Sequence, residues 1–92
     1  MTHYTAGYRL ENEVVNLYRN KQWFATRSAG SHSPVDVIAM RAGEIHLIQC
    51  CTNKKGKTKG ELSILKALAD ENNCRAFFAY RDKGVKLEEV LP

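Results

Sequence analysis

Residues 35–51, VDVIAMRAGEIHLIQCC, decide the fold of this chain. Two apolar runs, residues 35–40 and 44–51, flank the dipeptide Ala42-Gly43, which suits a tight connection. The pattern predicts a hairpin of two largely buried strands. Side chains alternate along a strand, so Gln49 and Cys51 share one face of the second strand.

The segments before this hairpin predict a helix, a strand and a loop. Leu10, Val14 and Leu17 recur at the spacing of an amphipathic helix, which we expect over about residues 6–20. Residues 23–28 are rich in aromatic and β-branched side chains and predict a strand. A run of turn-forming residues, 29–34, then predicts a loop.

The segments after the hairpin predict a loop, a helix and two strands. Residues 52–60 hold four lysines and two glycines without an apolar side chain, which is typical of a mobile basic loop. A broad apolar face from Leu62 to Ala69 predicts a helix that ends at Asn72-Asn73. Residues 74–80 predict a strand, and residues 85–91 predict a short edge strand.

This order of elements predicts one α/β domain over residues 1–92, with one central mixed β-sheet flanked by helices. The composition, 43% hydrophobic and 26% charged, is that of an ordinary globular domain. A core this small leaves stability marginal, so a homodimer is plausible on size alone.

Composition and spacing argue against several classes of protein. No apolar run approaches the roughly 18 residues that span a bilayer, and no leader pattern is present, so we expect a cytoplasmic protein without a membrane partner. Three cysteines, two of them adjacent, do not suit a disulfide framework or a zinc site. Gly56-Lys57-Thr58 resembles the end of a phosphate-binding P-loop, but the required earlier glycine is Cys51. The three histidines have no metal-binding spacing, which makes His46 a packed or solvent-facing residue.

The net charge of +4 and the isoelectric point of about 9.1 favour a polyanionic partner. Asp36 is the most unusual residue, because its neighbours are apolar and a buried carboxylate is costly unless it is paired or binds a cation. The simpler interpretation is that Asp36 ends the strand and caps the Ser33-Pro34 turn. The residues around Asp36 leave both interpretations open.

Several short motifs resemble one known family. They are Gly7 with Glu11 and Val14, then Arg27-Ser28-Ala29-Gly30-Ser31, then Val35-Asp36-Val37-Ile38-Ala39, and finally Ile45-His46-Leu47-Ile48-Gln49. In these motifs the chain resembles the archaeal Holliday junction resolvases, a branch of the PD-(D/E)XK nucleases. The resemblance implies a PD-(D/E)XK nuclease-like fold.

The resemblance also implies a metal-dependent active site. Glu11, Asp36 and Gln49 match the positions that bind Mg²⁺ or Mn²⁺, and we expect them to approach each other closely enough to share one ion. A glutamine can contribute its carbonyl oxygen to a hard cation. Cys51 occupies the position of the family's catalytic lysine, so a neutral thiol stands where a positive charge is expected. Glu11 could instead be a solvated helix charge.

The resemblance implies DNA-binding residues as well. Arg27 matches a basic residue of a DNA-facing strand, and Ser31 or Ser33 matches a loop serine near the site. A DNA phosphate-contacting surface could also include further basic residues: Arg9, Arg19, Lys21, Lys54, Lys55 and Lys57. A solvated charge run and an ordinary rim arginine are the simpler interpretations.

These observations predict a metal-dependent, structure-selective endonuclease that cleaves branched DNA, such as Holliday junctions, as a homodimer. The alternative is a DNA-junction binding module that kept the nuclease fold and lost catalysis with the lysine. Lys54 or Lys55 could restore the missing charge from the basic loop. A third possibility, an interaction domain without nucleic acid, does not explain the placement of Glu11 and Asp36.

Overall fold

The computed structural model describes residues 5–28, 33–52 and 59–91. It contains two helices and five strands within those ranges: α1 Thr5–Arg19, β1 Phe24–Arg27, β2 Val37–Arg41, β3 Glu44–Cys50, α2 Lys59–Glu71, β4 Arg75–Arg81 and β5 Val85–Glu89. The predicted α/β class and the order of the elements are confirmed. Neither helix of the described ranges has the length and apolarity needed to cross a membrane.

The five strands form one sheet in the order β1-β2-β3-β4-β5. Neighbouring strands are antiparallel except β3 and β4, which are parallel and joined through α2. A parallel pair needs such a crossover connection, whereas antiparallel pairs close through short turns. The predicted mixed sheet is therefore confirmed, with β5 as one edge strand.

The β2–β3 connection is a two-residue hairpin turn. Arg41 is paired with Glu44, and the two residues between them have positive φ angles, 51° at Ala42 and 83° at Gly43. Two consecutive positive φ angles define a type I′ turn, whose twist matches that of the strands. This turn sets the register that places residues 36 and 49 at the same end of the sheet.

Each face of the sheet carries its own apolar core. On the α1 side, Leu10 and Val14 pack against Val37, Ile48 and other buried residues. On the α2 side, Leu65 packs with Leu47. Consecutive side chains of β3 point to opposite faces of the sheet, so Ile48 enters the core on the α1 side and Leu47 the core on the α2 side.

Most boundaries differ from the sequence-based expectation by one or two residues, and two of the differences have a clear physical reason. The helix α2 begins at Lys59, within the segment predicted to be loop, because a polar first turn carries no apolar signal. Asp36 lies one residue before β2 instead of inside the strand. At its other end α2 closes as predicted near Asn73, which has a φ of 56°, while the Cys74 N–H donates to the Ala69 carbonyl at 2.7 Å.

Candidate active site

Asp36 is held at the point where β2 begins. Its N–H donates to the Ile48 carbonyl at 2.8 Å, and its carbonyl accepts from the Ser28 N–H at 2.8 Å. Its side-chain Oδ2 accepts from the Cys50 N–H, also at 2.8 Å. The carboxylate therefore accepts a backbone N–H of β3 in place of a carbonyl of the neighbouring strand, and it lies close to the plane of the sheet. The preceding turn is capped by Ser33, whose Oγ accepts from the Val35 N–H at 3.0 Å.

Gln49 is a buried polar side chain beside Asp36. It is 5% exposed, and its position between Ile48 and Cys50, which face α1, directs it to the α2 side of the sheet. Its Oε1 is buried without a hydrogen-bond partner in the described part of the chain. Leaving such an acceptor unsatisfied costs about 1–3 kcal/mol. A carbonyl oxygen in this state suits a hard cation, which takes oxygen ligands.

Glu11 projects from α1 and pairs with Arg27 at the end of β1. The Glu11 Oε1 to Arg27 Nε distance is 3.1 Å, with the two side chains 22% and 36% exposed, respectively. The Arg27 guanidinium also lies over the Tyr8 ring, 4.1 Å from its centroid. Sequence reasoning missed Tyr8, although its position three residues before Glu11 places both on one face of a helix.

These contacts bring Glu11, Asp36 and Gln49 to the same end of the sheet. Arg27, the partner of Glu11, is followed by Ser28, which is hydrogen-bonded to Asp36. Glu11 approaches from the α1 side, Gln49 faces the α2 side, and the Asp36 carboxylate lies between them. The three residues therefore lie at one end of the sheet, with Glu11 and Gln49 belonging to different faces of it. Their sharing of one ion stays a prediction.

The donor atoms of this trio are of the kind that a divalent cation takes. Two carboxylates and an amide carbonyl supply oxygen ligands, and one of these oxygens, Gln49 Oε1, is buried and unpartnered within the described residues. Among those residues, no group of three or more His, Cys, Asp or Glu side chains could hold a metal ion. The amide of Gln49 is thus needed as the third ligand.

Cys51 follows directly after β3. Its thiol is free and half-buried, and its N–H donates to the Ala79 carbonyl at 2.9 Å. A thiol cannot supply the positive charge of a lysine. Lys54 and Lys55, which could supply it, lie outside the described residues.

The residues predicted to contact DNA differ in whether the structure leaves their side chains accessible. Arg9 is exposed on α1, which leaves it accessible to a phosphate. Arg19 donates from Nε and Nη2 to the Ala25 carbonyl, at 3.1 and 2.9 Å, so part of its guanidinium holds β1 in place. Ser33 is engaged in the turn described above. Ser31 and Lys57 lie outside the described residues, as do Lys54 and Lys55.

A second polar cluster lies at the opposite end of β3, around His46. His46 is 7% exposed, its Nδ1 is 2.8 Å from the Tyr18 hydroxyl, and its Nε2 is 2.5 Å from Glu44 Oε2. Arg75 pairs with both Glu44 and Glu89. The interpretation of His46 as a packed histidine is confirmed, since both ring nitrogens are engaged in the core.

These contacts shift several pKa values. Hydrogen bonds from His46 and then Arg75 lower the pKa of Glu44, and Arg75 likewise lowers that of Glu89. Burial raises the pKa of Tyr18 to about 12. The cluster is a structural ion-pair network, remote from the strand ends that carry Asp36.

The comparison with protein families decides the affiliation of the chain. The model of the family described as archaeal Holliday junction resolvase (Hjc) matches residues 2–91. The chain belongs to this family. Holliday junction resolvases are endonucleases of DNA recombination and repair, and they use a divalent metal ion.

The fold agrees with a solved structure of the same family. Hjc of Archaeoglobus fulgidus, a Holliday junction resolvase from an archaeal hyperthermophile, superimposes with a TM-score of 0.77 at 20% sequence identity. The match covers 91% of this chain and 72% of the archaeal one. No curated protein sequence matches the chain. The resolvase fold is therefore shown, which confirms the PD-(D/E)XK-like expectation.

Proposed function

We propose that this chain is a metal-dependent, structure-selective endonuclease that cleaves branched DNA such as Holliday junctions. The observation that carries the proposal is the Oε1 of Gln49, which is buried without a hydrogen-bond partner in the described residues, at the same end of the sheet as the anchored Asp36 carboxylate. Retaining an unsatisfied buried acceptor beside a carboxylate is costly in a protein without a cation. Family membership supports the choice of branched DNA as substrate.

Mg²⁺ or Mn²⁺ would be held by Asp36 and Gln49, with Glu11 as a third ligand. When bound, the ion supplies charge neutralisation at the scissile phosphate and an activated water. The Cys50 N–H fixes the orientation of the Asp36 carboxylate. Arg27 pairs with Glu11 at the rim of the site, and its side chain is 36% exposed, so a phosphate could reach it.

Cys51 supports a second candidate, a junction-binding module without catalysis. In the family the lysine at this position places positive charge near the attacking water and the developing transition state. The Cys51 thiol cannot supply this positive charge, so another residue would have to supply it. Lys54 and Lys55 are the candidates from the sequence. Binding of the junction does not require the charge, whereas cleavage does.

A nicking assay on a synthetic four-way junction, with Mg²⁺ and with Mn²⁺, separates the two functions. Replacing Cys51→Lys should raise cleavage about tenfold or more, which corresponds to ~1.4 kcal/mol or more off the barrier. Junction affinity should change much less. Thr52→Lys is the matched control, because it adds the same charge one residue further on, at an exposed position, and should not increase cleavage.

Two further outcomes are informative. If wild type cleaves, loses cleavage when Lys54 and Lys55 become alanine, and gains little from Cys51→Lys, then the basic loop supplies the charge. If neither wild type nor Cys51→Lys cleaves any branched substrate while both bind it, the endonuclease proposal fails and the binding module replaces it.

A further inference from the structure

A polar groove runs between α1 and the edge strand β1. Its volume is about 440 Å³, and it is lined by Asn12, Val15, Asn16, Arg19, Thr26 and Arg27. Val15 is buried and forms the apolar floor. The described residues that line the groove include two arginines and no acidic side chain, so its surface is cationic.

Asn12 and Asn16 present their amides on one wall of this groove. They are four residues apart on α1, which places them one helical turn apart on the same face. Neither side-chain amide forms a hydrogen bond within residues 5–28, 33–52 and 59–91. Each amide can therefore donate to a ligand in the groove.

Arg19 and Arg27 are both lining residues whose guanidinium groups are held in place. Arg19 donates from Nε and Nη2 to the Ala25 carbonyl, and within the described residues its Nη1 forms no hydrogen bond. Arg27 donates from Nε to Glu11 and stacks on the Tyr8 ring. Neither of its Nη atoms forms a hydrogen bond within the described residues. Guanidinium groups that are already fixed lose less conformational entropy on binding an anion.

We propose that this groove binds the phosphodiester backbone of the DNA strand that leaves the catalytic end. The inference rests on the proposed function and deepens it. Arg27 lines the groove and pairs with Glu11 of the candidate site, so the groove adjoins that site. From Asn12 to Arg19 the helix advances roughly 10 Å, which is room for about three phosphates of one strand.

The chemistry of the groove favours a backbone over a base edge. Neutral amides and arginines bind phosphate oxygens whatever the base, and such contacts position a nucleic acid without reading its sequence. Junction recognition by shape needs contacts of this kind on the arms, away from the bond that is cut. An acidic peptide presents the same charge without the regular phosphate spacing.

The test is a double substitution, Asn12→Asp with Asn16→Asp, measured by fluorescence anisotropy on a labelled four-way junction over a range of salt concentrations. Two new negative charges beside the phosphates should weaken binding about tenfold or more and flatten the salt dependence. Asn16→Arg should tighten binding several-fold. Ser63→Asp with Asn73→Asp, which adds the same two negative charges at exposed positions of α2 and its C-terminal end, is the matched control and should leave affinity unchanged.

The outcomes separate the groove from the proposed function. If wild type binds the junction and the double variant binds within twofold of it, the groove does not contact DNA, although the endonuclease proposal stands. An equal loss in the Ser63→Asp, Asn73→Asp control would also overturn the groove, since net charge alone would explain it. If wild type binds the junction no better than plain duplex, the proposed function fails with it. A gain with Asn16→Arg supports the groove even if the double variant folds poorly.

Discussion

At the scale of single residues, Gln49 has a buried side-chain oxygen without a hydrogen-bond partner in the described residues. Its carbonyl oxygen is removed from water without acquiring a partner in the described residues, whereas the neighbouring Asp36 carboxylate is anchored by a backbone N–H. An oxygen that is desolvated before a ligand arrives is costly to the free protein and favourable to the bound one. Stability should therefore respond to metal through Gln49.

Gln49→Met tests this response. In the absence of divalent metal we expect the variant to be as stable as wild type or more stable, because an unsatisfied acceptor is replaced by an apolar chain of similar size. Mg²⁺ or Mn²⁺ should raise the melting temperature of wild type, since a ligand that binds only the folded state stabilises it. The variant should gain much less. Thermal unfolding with a metal titration measures both, and an equal gain in the two proteins would remove Gln49 from the site.

Tyr18 makes stability sensitive to alkaline pH. Its pKa is raised to about 12 by burial, from 10.0 in the unfolded chain, so the protonated form is favoured by folding. The stabilisation is complete below pH 10 and is lost as pH rises through about 12. In Tyr18→Phe this contribution is absent, along with the hydrogen bond to His46. Urea unfolding from pH 8 to 12 should show wild type losing its advantage over the variant. A constant difference across that range would contradict the assignment.

At the scale of elements, the β2–β3 hairpin sets the register that places Asp36 and Gln49 at one end of the sheet. Its type I′ turn holds an alanine at φ 51°, a region that is strained for a residue with a Cβ. Asparagine tolerates this conformation better and is preferred before glycine in such turns.

Ala42→Asn should therefore stabilise the protein by a few tenths to about 1 kcal/mol. Ala67→Asn, at an exposed position inside α2, is the contrasting control. There asparagine is a poorer helix former than alanine, and we expect a loss of roughly 0.5 kcal/mol. Chemical denaturation measures both, and a destabilised Ala42→Asn would mean that the turn is not type I′ in solution.

Periodicity predicted all the described helices and strands, with boundaries that differ by one to three residues. The spacing of Leu10 and Val14 was sufficient for α1, because burial of one face fixes the helix. The start of α2 at Lys59 was missed, since its first residues bury nothing. Likewise, whether Asp36 lies inside β2 depends on hydrogen bonds to Ile48 and Cys50, which are set by long-range register.

The sequence predicted which residues belong to the candidate site but not the contacts that position them. Alternation predicted that Gln49 and Cys51 share one face, which is a local property of a strand, but β3 ends at Cys50 and the shared face of Cys51 stays a prediction. The pairing of Glu11 with Arg27 joins residues 16 apart across two elements, and nothing in the local pattern determines it. The approach of Glu11 from the other side of the sheet likewise depends on which face α1 covers.

At the scale of the whole molecule, one small protein covers both faces of a five-stranded sheet with single helices. We propose that it acts as a homodimer, since a four-way junction has two opposed strands to cut and a two-fold dimer presents two sites symmetrically. The chain mass is 10.4 kDa, and sedimentation equilibrium at micromolar concentration should give twice that mass. A strictly monomeric protein that still makes paired cuts would contradict the proposal.

Dimers that mix one wild-type and one Asp36→Asn subunit sharpen that test. They should nick one strand of the junction without making the opposed cut. Asp36→Asn also alters the anchor to the Cys50 N–H, so folding of the variant is measured first.

The strand β3 has one core on each of its faces and a paired strand along each of its edges. Its amide hydrogens can meet solvent only when the sheet itself separates. In native-state hydrogen exchange, the amides of Leu47 and Ile48 should be the slowest, and their opening free energy should equal that of global unfolding. Amides of β1 and β5, at the two edges, should exchange through smaller openings. The residues that hold Asp36 thus belong to the last part of the protein to open.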